Sequence, residues 1–237
     1  MLVSGAEVYR VEDCIRRICF AYGAVHVDVY TITSSIVVTV QQPDGEPLTQ
    51  TRRIESSQTN LERVDQLNQL SREMCRDQIE PDVFRRRFRE IMDRKPYPRW
   101  VELLCFFFCA GVFSVFFGGT WRDALIASCI GAVLKVTLWL IGAVKFNHVL
   151  SNVIASFVIS TLAYVAVRLG WADTVDKIVI GNIMLLIPGI ALTNSIRDMI
   201  TGDTMAGTLR FIEACILALA IAGGYFLASL MMGGGSV

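Results

Sequence analysis

The sequence predicts an α-helical polytopic membrane protein: five transmembrane helices within residues 96–237, carrying a small N-terminal α/β cytosolic domain over residues 1–95. Three observations support this. Hydrophobic residues make up 53% of the 237-residue chain, yet most of the charge precedes Trp100, so an ionic part is followed by a lipid-compatible one. Beyond Trp100 lie five apolar stretches, each near the roughly 20 residues that cross a hydrocarbon core. Before it, the hydrophobic positions follow helix and strand periods in turn. The formal net charge of 0, from 22 basic and 22 acidic residues, averages two unlike parts and points to no nucleic-acid partner.

The head opens on an amphipathic helix over residues 4–23. Val8, Val11, Ile15, Ile18 and Tyr22 recur at three and four, while Glu7, Arg10, Asp13, Arg16 and Arg17 take the other side. Gly23 is placed to end it. Val25, Val27 and Val29, then Ile36, Val38 and Val40, alternate as strands do, and a third strand is expected over 48–55 after the Pro43-Asp44-Gly45 turn. Thr59-Asn60-Leu61-Glu62 has capping-box spacing, and Leu61, Val64, Leu67, Leu70 and Met74 give the next helix its apolar face. Pro81 begins another at a first helical position, with Phe84, Phe88 and Ile91 inward.

The arginine-rich run 85–99 leads into Lys95-Pro96-Tyr97-Pro98-Arg99-Trp100, the pattern of a cytoplasmic membrane boundary. The spans expected after it are 101–120, 124–144, 149–167, 178–198 and 209–231, joined by short connections. With the head in the cytoplasm, an odd number of crossings puts the C-terminus outside. Ala110, Ser114 and Gly118, and Ala124, Ser128 and Ala132, are small residues four apart that suit close helix contacts.

The fourth expected span belongs to the most informative stretch, IVIGNIMLLIPGIALTNSIRDMITGDTMAG over residues 178–207. Pro188 removes a backbone donor and Gly189 frees the chain, so carbonyls near 184–187 are expected to lose their helical partners. At membrane depth such backbone must be buried in protein or line a watery cavity, which makes the break a candidate solute site. Asn182 lies before it, and Asn194 and Asp198 share a face after it, with Asp203 following Gly202. The alternative is a helix exit in which Arg197, Asp198 and Asp203 mark the boundary with water. Lys135 in the second span and Glu213 in the fifth are the intramembrane ionisable residues; each should face the bundle or a cavity, and the two are candidates to pair.

Sites of covalent chemistry are not legible. The chain has no GxxxxGK[ST] loop, no HExxH and no GxSxG. Its seven cysteines show no CxxC or Cys/His spacing. His26 is expected on the solvated strand face and Ser34-Ser35 in a turn. No enzyme activity, metal or cofactor is therefore expected. The rival readings are a membrane-anchored hydrolase using the Glu7, Arg10 and Asp13 patch, and a scaffold acting through the head.

The opening SGAEVYRVEDCIRRICFAYGA, the strand-like DVYTITSSIVVTV and the closing PGIALTNSIRDMITGDTMAGTLR together resemble the threonine/serine exporter family, specifically its N-terminal half. The resemblance rests on Gly5, Glu7, Tyr9 and Arg10 in the head, a motif of unknown role, and on Pro188-Gly189, Asn194, Asp198 and Gly202-Asp203. Long members of that family continue into a second membrane half. This chain is similar to the short subunits that work with a separately encoded small membrane partner, a class implicated in efflux of threonine and serine and of dicarboxylates such as succinate. The resemblance implies a multi-pass protein of the cell inner (cytoplasmic) membrane, a transport subunit with the lipid bilayer and a small membrane subunit as partners. Homo-oligomerisation is the competing arrangement. The residues and the resemblance together point to a subunit exporting a small polar or anionic metabolite by proton-coupled exchange, in which the break at Pro188-Gly189 presents backbone dipoles to the solute. Asn182 and Asn194 then hydrogen-bond the solute, Asp198 or Asp203 accepts the proton, and Lys135 meets a carboxylate.

Overall fold

The computed structural model describes residues 1–54, 59–94, 97–144 and 147–232. The chain divides into two compact units, one of Met1–Lys95 with Ile190–Ile212 and one of Pro96–Gly189 with Glu213–Val237.

In the first unit, a short 3-10 turn at Leu2–Ser4 precedes α1 (Val8–Ala21). Gly23 ends α1 as expected, the Ala24 N–H reaching back to the Cys19 carbonyl at 3.0 Å. Three antiparallel strands follow in the order β1 (His26–Ile32), β2 (Ser35–Gln41), β3 (Leu48–Arg53). Burial alternates strictly along β1, with Val27, Val29 and Thr31 inward and His26, Asp28 and Tyr30 outward. The register pairs Val29 with Val38 and Val38 with Gln50, so apolar residues of β1 and β2 share one face. Position 55 of the expected third strand lies outside the described residues.

α2 (Leu61–Asp77) buries Val64, Leu67, Leu70 and Met74. Two details differ from the sequence expectation. Asn60, not Thr59, caps the helix, its Oδ1 accepting the Arg63 N–H at 2.9 Å, and Leu61 is exposed, because the helix starts there and its first turn has nothing above it. α3 (Pro81–Met92) has Pro81 at its first position and buries no residue fully. Phe84 and Phe88 instead stack on each other, with ring centroids 5.8 Å apart.

The second unit holds α4 (Arg99–Phe116), α5 (Trp121–Ala143), α6 (His148–Arg168) and α7 (Val175–Ile183). α8 (Gly189–Ile200) enters the first unit from Ile190 on, and α9 (Thr204–Met231) contributes its first nine residues to the first unit and the rest to the second. Among the described residues four helices, α4, α5, α6 and α9, are long and apolar enough to cross a membrane. The stretch expected as the fourth span is instead two short helices, α7 and α8, separated at residues 184–188.

The four-residue spacing of small side chains is used for packing. Ala110, Gly111 and Ser114 of α4 are buried, as are Ala127, Ser128 and Gly131 of α5. A methyl group added at Gly131 would stand 2.6 Å from the Phe106 carbonyl oxygen, and one at Gly181 of α7 would stand 2.7 Å from the Ala110 carbonyl oxygen. Backbone therefore touches backbone along this seam. Around it Ala127, Leu134, Ile159, Ala163 and Ile178 form a fully buried core.

Candidate functional site

The N-terminal motif and the Asn194–Asp203 motif, some 190 residues apart in sequence, meet in the first unit. Their centre is Asp198, whose side chain is 1% exposed. One carboxylate oxygen accepts the Val8 N–H at 3.4 Å, at the first turn of α1, and the other accepts Arg210 Nη1 at 2.9 Å. An acid at a helix N-terminus meets unpaired backbone donors and the positive end of the dipole. Arg210 then donates its second nitrogen to the Ala6 carbonyl at 3.1 Å.

The neighbouring residues extend the same attachment. Asn194 donates to the Gly5 carbonyl at 3.2 Å. Gly5 holds φ +87, a left-handed conformation in which a side chain is strained. Arg197 bonds Glu7, and Glu7 also pairs with Arg10 at 3.4 Å. Gly202, at φ +103, turns the chain after α8 so that the Asp203 N–H meets the Asp198 carbonyl at 2.9 Å. Tyr9 and Arg10 stand exposed.

Glu12 completes this region. Its Oε1 accepts the Thr31 N–H at 2.9 Å, and its side chain is 12% exposed. Burial pushes its carboxyl up from the ordinary range, the like charge of Asp203 adds to that, and the Thr31 N–H and Arg16 oppose it.

In the second unit the helix break has the form expected of it. Pro188 offers no N–H to the Met184 carbonyl, and the Gly189 N–H turns to Ile187 at 2.8 Å instead of bonding four residues back. Asn182, one residue before the end of α7, is fully buried and donates to the Ala127 and Ile178 carbonyls at 3.2 and 3.0 Å. Both acceptors take the amide nitrogen, which fixes its orientation, and Oδ1 is left without a partner in the core. Asn182 and Asn194 thus belong to different units.

Lys135 is not joined to Glu213. Its ammonium lies 2.8 Å from Glu102 Oε2, and Glu213 stands exposed on α9. Trp139 Nε1 donates to the same Glu102 oxygen at 3.3 Å, and the Lys135 ammonium lies 4.8 Å from the Phe106 ring centroid. Glu102 lies in the first turn of α4 and Lys135 far along α5, so no local spacing links them. Asp123 was equally hidden in an apparent connection: it is fully buried and accepts the N–H groups of Thr120, Asp173 and Thr174 at 3.0, 2.8 and 3.0 Å. The Thr-x-x-Asp spacing at Thr120, a capping-box pattern, was the available signal.

Sequence reasoning thus selected Gly5, Glu7, Asn194 and Asp198, which the structure gathers, but passed over Arg197 and Arg210, which bind them together, and Glu102, which meets Lys135. Among the described residues there is no group of three or more His, Cys, Asp or Glu side chains able to hold a metal ion.

Comparison with known proteins agrees with this distribution of motifs along the whole chain. The family described as "Putative threonine/serine exporter" matches residues 1–232. The "Probable succinate transporter subunit YjjP" of Klebsiella aerogenes is 26% identical over 98% of this chain and 90% of its own length, and the Escherichia coli protein of the same name is 24% identical over 98% and 91%. The "Threonine/serine exporter" of Corynebacterium glutamicum is 25% identical over 94% of this chain and 47% of its own length. No solved structure matches at a significant level. The chain belongs to the threonine/serine exporter family.

Proposed function

We propose that this protein is one subunit of a proton-coupled exporter of a small polar metabolite, threonine and serine or a dicarboxylate such as succinate. The observation that carries the export function is the family match over residues 1–232 together with four membrane-length apolar helices. The chain covers nine tenths of relatives named as transporter subunits and about half of one named as a threonine/serine exporter, which supports a second, separate membrane subunit. Homo-oligomerisation is the alternative.

In this reading α7 and α8 together make the fourth of five crossings of the inner membrane, residues 1–95 face the cytoplasm, and the solute passes the break at Pro188-Gly189. The unpartnered Oδ1 of Asn182 offers it an acceptor near the end of α7. Asn194 and Asp198 act as attachments between α8 and the N-terminal motif, not as solute ligands. Of the two candidate acids, Asp198 is taken up by the Val8 N–H and Arg210, which leaves Asp203 as the proton acceptor.

Flux in proteoliposomes tests this. With its partner subunit present, the protein should move labelled threonine or succinate down an imposed proton gradient, and Asp203→Asn should flatten the pH dependence while leaving the amount of protein in the membrane near normal. Pro188→Ala should slow transport by closing the break. Full flux from this polypeptide alone would replace the two-subunit arrangement with a homo-oligomer. In whole cells an impermeant thiol reagent should fail to label a single cysteine at position 45; labelling there would invert the orientation.

A further inference from the structure

The pair formed by Lys135 and Glu102 is the least explained charged group in the second unit. Neither residue caps a helix or closes a turn, and both lie in helices long and apolar enough for a membrane. An ammonium in such surroundings is costly unless it serves or is neutralised. Glu102 does neutralise it, but the two are not sealed in: the side chains are 17% and 32% exposed.

Two donors meet on the Glu102 carboxylate, and a second cation stands beside them. Lys135 reaches it at 2.8 Å and the Trp139 indole N–H at 3.3 Å. Arg99, three residues earlier on α4, holds its guanidinium 5.8 Å from the centroid of the same Trp139 ring. Counting these charges gives two cations and one carboxylate. The cluster is therefore one negative charge short of neutrality. Among the described residues Lys135 pairs with no carboxylate other than Glu102; on α7, which also packs on α4, the charged Lys177 lies beside Gly119 at the opposite end of α4, with Asp176 next to it in sequence.

We infer that Lys135 and the Trp139 N–H are the receptor for the carboxylate group of the transported solute, and that Glu102 is a built-in stand-in which occupies this receptor between solutes. When a solute carboxylate takes Lys135, Glu102 turns to Arg99 one helical turn away, and the cluster becomes neutral with two cations and two carboxylates. This rests on the exporter reading and deepens it. A carboxylate is what an amino acid and a dicarboxylate have in common, so one receptor serves either class, and the rest of the solute is selected elsewhere. The long, flexible Lys135 stem, resting on the Phe106 and Trp139 faces at 4.8 and 5.7 Å, holds the ammonium in place while its partner changes.

The test uses this protein with its partner subunit in phosphatidylcholine vesicles made with and without phosphatidylglycerol, measuring counterflow of labelled threonine and of labelled succinate. Wild-type flux comes first: its absence for every solute tried overturns the exporter reading itself. Given flux, Lys135→Gln should raise KM at least tenfold, Lys135→Arg should recover most of it, and Glu102→Gln should lower KM because the internal competitor is gone. The exchanged pair, Lys135→Glu with Glu102→Lys, retains the ion pair and should restore the amount of folded protein seen by size exclusion, but not transport. Threoninamide and succinamide, which lack the carboxylate, should fail to compete. Wild-type KM in the exchanged pair would overturn the inference and leave a structural bridge. So would flux that requires anionic lipid and loses only that requirement in Lys135→Gln, which would make a lipid phosphate the anion.

Discussion

Two ion pairs in this protein look alike on paper and differ in every physical respect that matters. Asp198 and Arg210 are 1% and 12% exposed, and the spare atoms of both are taken, one by the Val8 N–H and the other by the Ala6 carbonyl. Glu102 and Lys135 are 32% and 17% exposed, with an indole and an aromatic face as their remaining neighbours. The first pair joins segments distant in sequence through main-chain atoms, so its loss removes an attachment. Among the described residues the second pair bonds side chains alone. A closed pair is a fastening, and an open one can change partners.

The difference is measurable first as stability. Asp198→Ala or Arg210→Ala leaves a buried charge unpaired and should cost about 3–5 kcal/mol, whereas the double change Asp198→Leu with Arg210→Met should recover much of that. Glu102→Gln should cost roughly 1 kcal/mol, since Lys135 retains its aromatic contacts and can extend its stem. Unfolding midpoints of the purified variants compare the two; equal losses at both pairs would erase the distinction. Next in size is Gly5→Ala. At φ +87 the added methyl is strained, and it would meet Thr59 Oγ1 at 3.3 Å, so a loss of about 1–2 kcal/mol is expected, together with weaker attachment through Asn194.

The smallest effect concerns Glu12. Its folded-state proton affinity is raised, so the folded chain holds this proton more firmly than the unfolded chain does. Its charge therefore burdens the fold above the raised value, and the burden is relieved as pH falls to the ordinary carboxylate range. Glu12→Gln should stabilise near neutral pH by under about 1 kcal/mol, and the gain should fade on acidification. A gain that grows in acid would reverse the assignment.

Local features were readable because local physics sets them. Gly23, Pro81 and the alternation of β1 needed only neighbours in sequence, and the break at Pro188 needed only the missing N–H. The fourth span was legible as an apolar stretch but not as two helices with a fixed end and start, since that depends on where Gly189 sends its bond. The candidate site was harder. Asp198 and Val8 are separated by 190 positions, and no periodicity reports a contact that long; the individual motif residues stood out, but Arg197 looked like an ordinary boundary cation and nothing marked Arg210. Glu102 was hidden for another reason. Acids in a first helical turn are common, so nothing in its position suggested a partner on α5.

The glycine seam of α4, α5 and α7 has a mechanical meaning. With no side chain between the Phe106 carbonyl and Gly131, or between the Ala110 carbonyl and Gly181, these three helices have no soft layer to shear across, and turning any one about its axis would drive a Cβ into a neighbour's backbone. They can be displaced only as a single block.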